Sequence, residues 1–215
     1  MTPDEPFRDR ADAGRRLAVQ LLRAGFGEDT VVVGLPRGGV PVAFEVAEAL
    51  QAPLDLIPVR KLGLPGQPEL AMGAIGESGV RVLNDRIVAR LRDPEGQLAA
   101  AERAERPRLE HQARLRGDRP SVPLRDRTVI VVDDGVATGS TARAACQVVR
   151  GLGATRVVLA VPVAPAGAAA RFTDVADTVV CLRTPDDFAG VGQFYEDFRP
   201  TPDGVVTALL HRARE

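Results

Sequence analysis

Residues 129–141 read Val-Ile-Val-Val-Asp-Asp-Gly-Val-Ala-Thr-Gly-Ser-Thr, and they set the architecture that we expect for the rest of the chain. Four β-branched apolar residues in a row are typical of a strand that is buried on both faces, as in a parallel sheet. Two acidic residues end that strand, and a turn rich in Gly, Thr and Ser leads into a helical run over 142–152. The pattern therefore predicts a strand, a loop and the start of a helix.

The loop in this stretch has the chemistry of a sugar-phosphate site. Unpaired backbone N–H groups at a helix N-terminus bind anions, and Thr138, Ser140 and Thr141 add hydroxyl groups. The carboxylates of Asp133 and Asp134 would repel a phosphate, so we expect them to accept hydrogen bonds from vicinal sugar hydroxyls instead. An ordinary strand-to-helix turn that carries solvated aspartates is the alternative.

A second glycine-rich turn comes earlier, between the apolar strand Thr30–Gly34 and a helical run over 40–50. Its adjacent Gly38 and Gly39 let the backbone approach a ligand closely, and Arg37 supplies a planar cation that binds oxyanions. This turn is therefore a second candidate anion site. The alternative is a tight turn with a surface arginine.

A third candidate follows an apolar strand over 54–59. Arg60 and Lys61 begin a segment that runs to Glu69 and contains two Gly and two Pro, which predicts a mobile loop. Paired cations at its start suit an incoming polyanion, and Glu69 is a candidate proton donor. A surface loop whose cations simply face water is the alternative.

Strands and helices alternate along most of the chain, which predicts a parallel sheet with right-handed crossovers and ligands at the carboxyl ends of the strands. We expect an α/β fold with a Rossmann-like parallel central sheet and flanking helices, in a single domain over 1–215. Segments 70–77 and 80–83 predict a small hairpin at the edge of that sheet. A charged helix over 95–115, interrupted or kinked at Pro107, is assigned no chemistry.

The stretch 129–141 resembles the phosphoribosyl-pyrophosphate signature of type I phosphoribosyltransferases: apolar residues, two acids and an Ala-Thr-Gly-Gly-Thr loop, in which Ser140 replaces the second Gly. The turn at 35–40 is similar to the pyrophosphate loop of the same family. Segment 60–69 is similar to the mobile loop of adenine phosphoribosyltransferases, although leucines stand where that pattern has Pro and its second Lys. The overall likeness is closest to bacterial phosphoribosyltransferases whose acceptor is not assigned, and it covers nearly the whole chain.

This resemblance implies transfer of ribose 5-phosphate from phosphoribosyl pyrophosphate to a nitrogen acceptor, a nucleobase or related heterocycle, with release of pyrophosphate. It implies Mg²⁺ held through substrate oxygens and water, with Asp133 or Asp134 as alternative direct ligands. The residues expected to act in catalysis are Arg37, Lys61, Asp133 and Asp134. The residues expected to bind the donor are Arg37, Gly38, Gly39, Arg60, Lys61, Asp133, Asp134, Gly135, Val136, Ala137, Thr138, Gly139, Ser140 and Thr141.

The acceptor is less well defined by the sequence. In 6-oxopurine transferases the loop position of Ala137 is an aspartate, so the resemblance argues against hypoxanthine or guanine. Segment 184–200 contains four of the chain's eight aromatic residues, and the resemblance implies that it forms the hood over the acceptor. Phe194 and Tyr195 are candidates to stack on a planar base. The alternative is that these rings anchor the C-terminal segment to the core.

The charge and hydropathy of the chain bear on its partners. A net charge of −1 weighs against a nucleic-acid partner held by general electrostatics, so we expect none. The longest apolar run, over 157–170, is broken by two prolines, so we expect no membrane span and a cytoplasmic protein. A homodimer through the 95–115 helix is one hypothesis. A ligand-sensing regulator without turnover, on the same fold, is the alternative function.

Overall fold

The computed structural model describes residues 5–64 and 67–213, with side chains for all of these except 67–69. Its helices and strands follow one another along the chain in this order: α1 (Arg10–Arg23), β1 (Thr30–Gly34), α2 (Gly39–Leu50), β2 (Leu54–Leu56), β3 (Val59–Leu64), β4 (Gln67–Gly76), β5 (Arg81–Leu83), α3 (Asp85–Val88), α4 (Pro94–Arg114), β6 (Thr128–Val132), α5 (Ser140–Gly151), β7 (Arg156–Val163), β8 (Thr178–Arg183) and α6 (Asp203–Arg212). Short 3₁₀ helices lie at Glu77–Gly79, Ala168–Phe172 and Val191–Phe194.

A parallel sheet of five strands forms the centre of the protein, in the order β2-β1-β6-β7-β8. Every pair of neighbours in it is parallel. Strand β6, the strand predicted at 129–132, is its middle strand, and all four residues of that run are buried. The predicted α/β class with a parallel central sheet and flanking helices is confirmed.

Helices cover both faces of this sheet, because the side chains of each strand alternate between two apolar clusters. On one face, α5 shares an apolar cluster with Val31, Val129 and Val131. On the other face, α1, α2 and α6 share a second cluster with Val32 and Ile130. No helix of the described ranges 5–64 and 67–213 is long and apolar enough to cross a bilayer.

A separate antiparallel sheet, in the order β3-β4-β5, lies beside the central one. The predicted hairpin is confirmed as the β4–β5 pair, but it belongs to this second sheet and not to the edge of the first. Arg60 and Lys61 lie within β3, so the prediction that a mobile loop begins at Arg60 is wrong. Burial of Val59 and Leu62 and pairing with β4 hold this segment in a strand despite its Gly and Pro content. Pro65 and Gly66 lie outside the described residues.

Helix α4 covers the second sheet. Leu98 and Leu109, on either side of Pro107, are buried against Leu62 and Met72. Packing on both sides keeps the helix continuous over 21 residues, so Pro107 does not interrupt it. Beyond α4, the guanidinium of Arg116 donates to both carboxylate oxygens of Glu77 and to Asp55, each at 2.7 Å, and these bonds tie the second sheet to β2.

Candidate functional site

Two predicted anion-binding turns meet at the carboxyl edge of the central sheet. The strands before them, β1 and β6, are neighbours, with Gly34 opposite Val132. A Cβ atom on Gly39 would lie 2.6 Å from the carbonyl oxygen of Val132, and one on Gly38 would lie 2.1 Å from Oδ2 of Asp134. Both distances are far shorter than van der Waals contact. The turn can therefore approach Asp133 and Asp134, called the acid pair below, only because these two residues are glycine.

The acid pair lies partly buried between the turns. The backbone N–H of Asp134 donates to Oδ1 of Asp133 at 2.9 Å, and Nε of Arg10 donates to Oδ2 of Asp134 at 2.8 Å. Burial raises the pKa of Asp133 well above its ordinary value, and the adjacent Asp134 carboxylate adds to the rise. Burial also raises the pKa of Asp134, against the opposing effect of Arg10. A further cation, or hydroxyl groups that donate hydrogen bonds, would stabilise the charged form of these two partly buried carboxylates.

The loop after the acids opens toward solvent where helix α5 begins. Gly139, the N-cap of α5, has φ of +80°, which favours glycine. Ala137, Thr138 and Thr141 are exposed, and the hydroxyls of Thr138 and Ser140 lie 3.4 Å apart. Exposed hydroxyls at the N-terminus of a twelve-residue helix suit a phosphate.

Two of the predicted donor-binding residues hold this loop in place. The side chain of Val136 is buried, and its N–H donates to the carbonyl of Val163 at 2.9 Å. Gly135 is packed so closely that a Cβ atom there would lie 2.5 Å from Val191. Both residues therefore shape the loop through packing, and their side-chain positions face the protein.

Arg37 projects from the first turn toward the C-terminal helix. Its side chain is 51% exposed, and Nη1 lies 3.3 Å from Oδ1 of Asp203, the first residue of α6. Oδ2 of the same carboxylate lies 3.0 Å from Nε2 of His111 on α4. The guanidinium is thus at the surface, where it is accessible to an anionic ligand.

Arg60 and Lys61 face the start of α5, at the end of the predicted phosphate-binding loop. Together with Thr141 they line a cavity of about 310 Å³ between the second sheet and helix α4. Glu105 of α4 also lines it and accepts a hydrogen bond from Nε of Arg60 at 2.7 Å. Sequence reasoning assigned no chemistry to α4, and no local signal marked Glu105, because its partner lies 45 residues away.

Segment 184–200 lies directly on the acid pair. The hydroxyl of Tyr195 donates to the backbone carbonyl of Asp134 at 2.6 Å, and its ring packs against Phe7 and Phe198 with centroids 5.3 and 4.9 Å away. Only 7% of Tyr195 is exposed, a geometry that favours the anchoring alternative for this ring. Phe194 is partly buried and stacks on Phe188 at 5.7 Å. The expected acceptor role of both rings stays a prediction.

Among the described residues, the acid pair is not part of a larger cluster of metal-ligating side chains. Within the part of the chain that the structure describes, no group of three or more His, Cys, Asp or Glu residues is placed to hold a metal ion. A metal at this site would therefore draw most of its ligands from substrate and water. The side chain of Glu69, the candidate proton donor, lies outside the described residues.

Comparisons with known proteins found relatives that cover nearly the whole chain. The model of the phosphoribosyl transferase domain matches residues 7–199. Two Mycobacterium tuberculosis proteins, each named "Putative phosphoribosyl transferase" (Rv0571c in strain H37Rv and MT0597 in strain CDC 1551), are 56% identical over 208 residues, or 96% of this chain. The chain spans 47% of each, about half the length of these curated relatives. The crystal structure of TT1426 from Thermus thermophilus is 45% identical, with a TM-score of 0.89 over 96% of this chain and 98% of that one.

Proposed function

Because this chain belongs to the type I phosphoribosyltransferase family, we propose that it transfers ribose 5-phosphate from phosphoribosyl pyrophosphate to a nitrogen atom of a small-molecule acceptor. The bond between C1 of ribose and pyrophosphate breaks, and its electron pair leaves with pyrophosphate. The acceptor nitrogen forms the new bond to C1 and releases its proton. One observation carries the proposal: the acid pair lies between two anion-suited turns that meet at one edge of the sheet.

Each part of the donor has a matching part of the site. The hydroxyls and N–H groups at the start of α5 suit the 5-phosphate, and the carboxylates of Asp133 and Asp134 suit the two ribose hydroxyls. The turn at Arg37 suits the pyrophosphate. Arg60 and Lys61 line the cavity that ends at Thr141, beside the start of α5. We propose that they stabilise the charge that develops on the leaving group.

A magnesium ion fits the residues present. Asp133 and Asp134 offer the oxygen ligands that Mg²⁺ prefers, and their raised pKa values indicate that Arg10 alone does not offset their burial. We propose that these carboxylates hold Mg²⁺ together with substrate oxygens and water. When bound, the ion would neutralise charge on the pyrophosphate. The residues of this chain orient the ribose and the leaving group.

The proposed acceptor is a nucleobase or related heterocycle other than a 6-oxopurine. Ala137 is exposed beside the phosphate loop and carries no group that could handle a base proton. We place the acceptor under the hood, segment 184–200. The homodimer and the cytoplasmic location stay predictions.

Replacing Asp134 by Asn should weaken Mg²⁺-dependent binding of phosphoribosyl pyrophosphate. The amide keeps the size of the side chain but removes the charge that attracts sugar hydroxyls and the ion, and charge-assisted hydrogen bonds of this kind contribute about 1.5–3 kcal/mol. The measurement is titration calorimetry of the donor with Mg²⁺. An unchanged affinity would contradict the assignment of Asp134 to the ribose.

The reaction itself is tested with a panel of nitrogen acceptors, the donor and Mg²⁺, with pyrophosphate release as the readout. Release that requires one acceptor supports the transferase. Donor binding without release for any acceptor would favour the ligand-sensing regulator. Failure to bind the donor would contradict the proposed transfer.

A further inference from the structure

Arg10 is an unassigned residue that touches the donor site from outside its motifs. It begins helix α1, 124 residues before Asp134 in the chain, and its Nε donates to Oδ2 of that carboxylate at 2.8 Å. Its Nη1 donates to the carbonyl of Arg199 at 2.8 Å, and the guanidinium lies 4.1 Å from the centre of the Phe198 ring. Only 12% of the side chain is exposed. These contacts hold the guanidinium in one orientation.

The orientation of Arg10 determines how the second acid is presented. The ion pair uses Oδ2 of Asp134, the same oxygen that a Cβ atom on Gly38 would meet at 2.1 Å. Oδ2 therefore lies between the guanidinium and the glycine turn. With Oδ2 engaged by Arg10, the carboxylate of Asp134 cannot rotate freely to exchange its two oxygens.

Charge gives Arg10 a second effect on the site. Adjacent carboxylates repel each other when buried, and the donor adds phosphate charges nearby. A cation 2.8 Å from one carboxylate offsets part of this repulsion. The guanidinium is suited to this position because it remains charged and donates several hydrogen bonds in a fixed plane.

We propose that Arg10 is a positioning residue of the donor site, which orients Asp134 so that Oδ1 receives the ribose hydroxyls. This inference rests on the proposed function, since it takes the acid pair as the ribose site. A purely structural Arg10, which only ties α1 to segment 184–200, would affect every ligand of the site alike. A positioning Arg10 affects ligands that carry the ribose.

The test compares ligands with and without the sugar. Arg10→Gln should weaken binding of phosphoribosyl pyrophosphate and of ribose 5-phosphate about tenfold or more. The affinity for pyrophosphate measured without Mg²⁺, a ligand that lacks both the ribose and the ion held by the acid pair, should stay within about twofold. Arg15→Gln is the matched control, since Arg15 is an exposed arginine of the same helix, 3.3 Å from Glu45. The double variant Arg10→Gln/Asp134→Asn should bind ribose 5-phosphate no more weakly than Asp134→Asn alone, because both substitutions remove the same interaction between Arg10 and Asp134.

The outcomes separate this inference from the proposed function. If the unaltered protein binds the donor and Arg10→Gln binds ribose 5-phosphate within twofold of it, the inference is overturned and the function stands. An equal loss for pyrophosphate, or losses that multiply in the double variant, also overturns it. If the unaltered protein binds no donor, the function fails and the inference with it. If circular dichroism shows that Arg10→Gln is unfolded, the same ligands are compared with Arg10→Lys, which keeps the charge but not the planar donors.

Discussion

Replacing Arg37 by alanine is expected to lower kcat/KM about a hundredfold or more, equivalent to about 3 kcal/mol of transition-state stabilisation. The turn that carries Arg37 is seated on the acid pair through Gly38 and Gly39. In the proposed reaction, charge develops on pyrophosphate as its bond to C1 breaks, and a guanidinium at that end of the donor would stabilise the charge through paired hydrogen bonds. Because the stabilisation is greatest in the transition state, kcat falls with kcat/KM.

The fold should tolerate this substitution. Arg37 is half exposed, and its contact with Asp203 at 3.3 Å is the kind of surface pair that contributes less than about 1 kcal/mol. The measurements are steady-state rates with the acceptor found in the panel, Mg²⁺-pyrophosphate affinity by calorimetry, and urea unfolding. Arg8→Ala is the control, since Arg8 is a largely exposed arginine outside the site. Rates within threefold of the unaltered protein would remove Arg37 from the mechanism.

The strand, the loop and the helix start at the centre of the candidate site could be predicted because their signals are local. A run of β-branched residues ends in two acids and a glycine-containing turn within thirteen positions. Each of these features predicts the backbone conformation of the residues next to it. The turn at Gly38 and Gly39 is local in the same sense. The sheet then brings the two turns together, since the carboxyl ends of neighbouring parallel strands share an edge.

The supporting contacts could not be predicted, because they join distant parts of the chain. Arg10 meets Asp134 across 124 positions, and Glu105 meets Arg60 across 45. Neither Arg10 nor Glu105 stands out from the other charged residues of its helix. The position of Arg60 and Lys61 in a strand was obscured by nearby Gly and Pro, which dominate a local prediction of loop structure, whereas burial of Leu62 and pairing with β4 decide the fold there.

Segment 184–200 shows a different limit. Its aromatic residues were expected either to stack on a base or to anchor the segment to the core. Sequence alone does not separate these two roles, because both use the same aromatic side chains. The structure places Phe7, from the N-terminal region, against Tyr195. Anchoring by a residue almost 190 positions away leaves no pattern in the segment itself.

Replacing Phe7 by alanine is expected to lower the free energy of unfolding by about 3–5 kcal/mol. Phe7 is fully buried. Its ring lies 5.3 Å from that of Tyr195 and beneath the guanidinium of Arg183 at 4.2 Å. Its backbone N–H donates to Phe194, and its carbonyl accepts from Glu196. Removing the ring leaves a cavity between the N-terminal region and segment 184–200, so the hood should loosen before the central sheet does.

Tyr195 reports this loosening directly, because it is the only tyrosine of a chain without tryptophan. Burial raises the pKa of its hydroxyl above the ordinary value, and the charge of Asp134 adds to the rise. In the unaltered protein, tyrosinate absorbance should therefore appear only above pH of about 10. Tyr195 of the unfolded chain ionises near pH of about 10, below the pH at which it ionises in the folded protein. The free energy of unfolding should therefore fall as pH rises above about 10.

In Phe7→Ala, tyrosinate absorbance should appear near pH of about 10, the value of a solvated tyrosine, while far-ultraviolet circular dichroism still shows a folded sheet. Phe188→Ala is the control within the hood, since Phe188 stacks on Phe194 and not on Tyr195. It should leave the titration of Tyr195 nearly unchanged. If Phe7→Ala keeps the raised pKa of Tyr195, the hood is held by the bond from Tyr195 to Asp134 and by Phe198, without Phe7. A lowered pKa together with weakened donor binding would instead show that the anchoring of the hood and the shape of the ribose site depend on each other through Asp134.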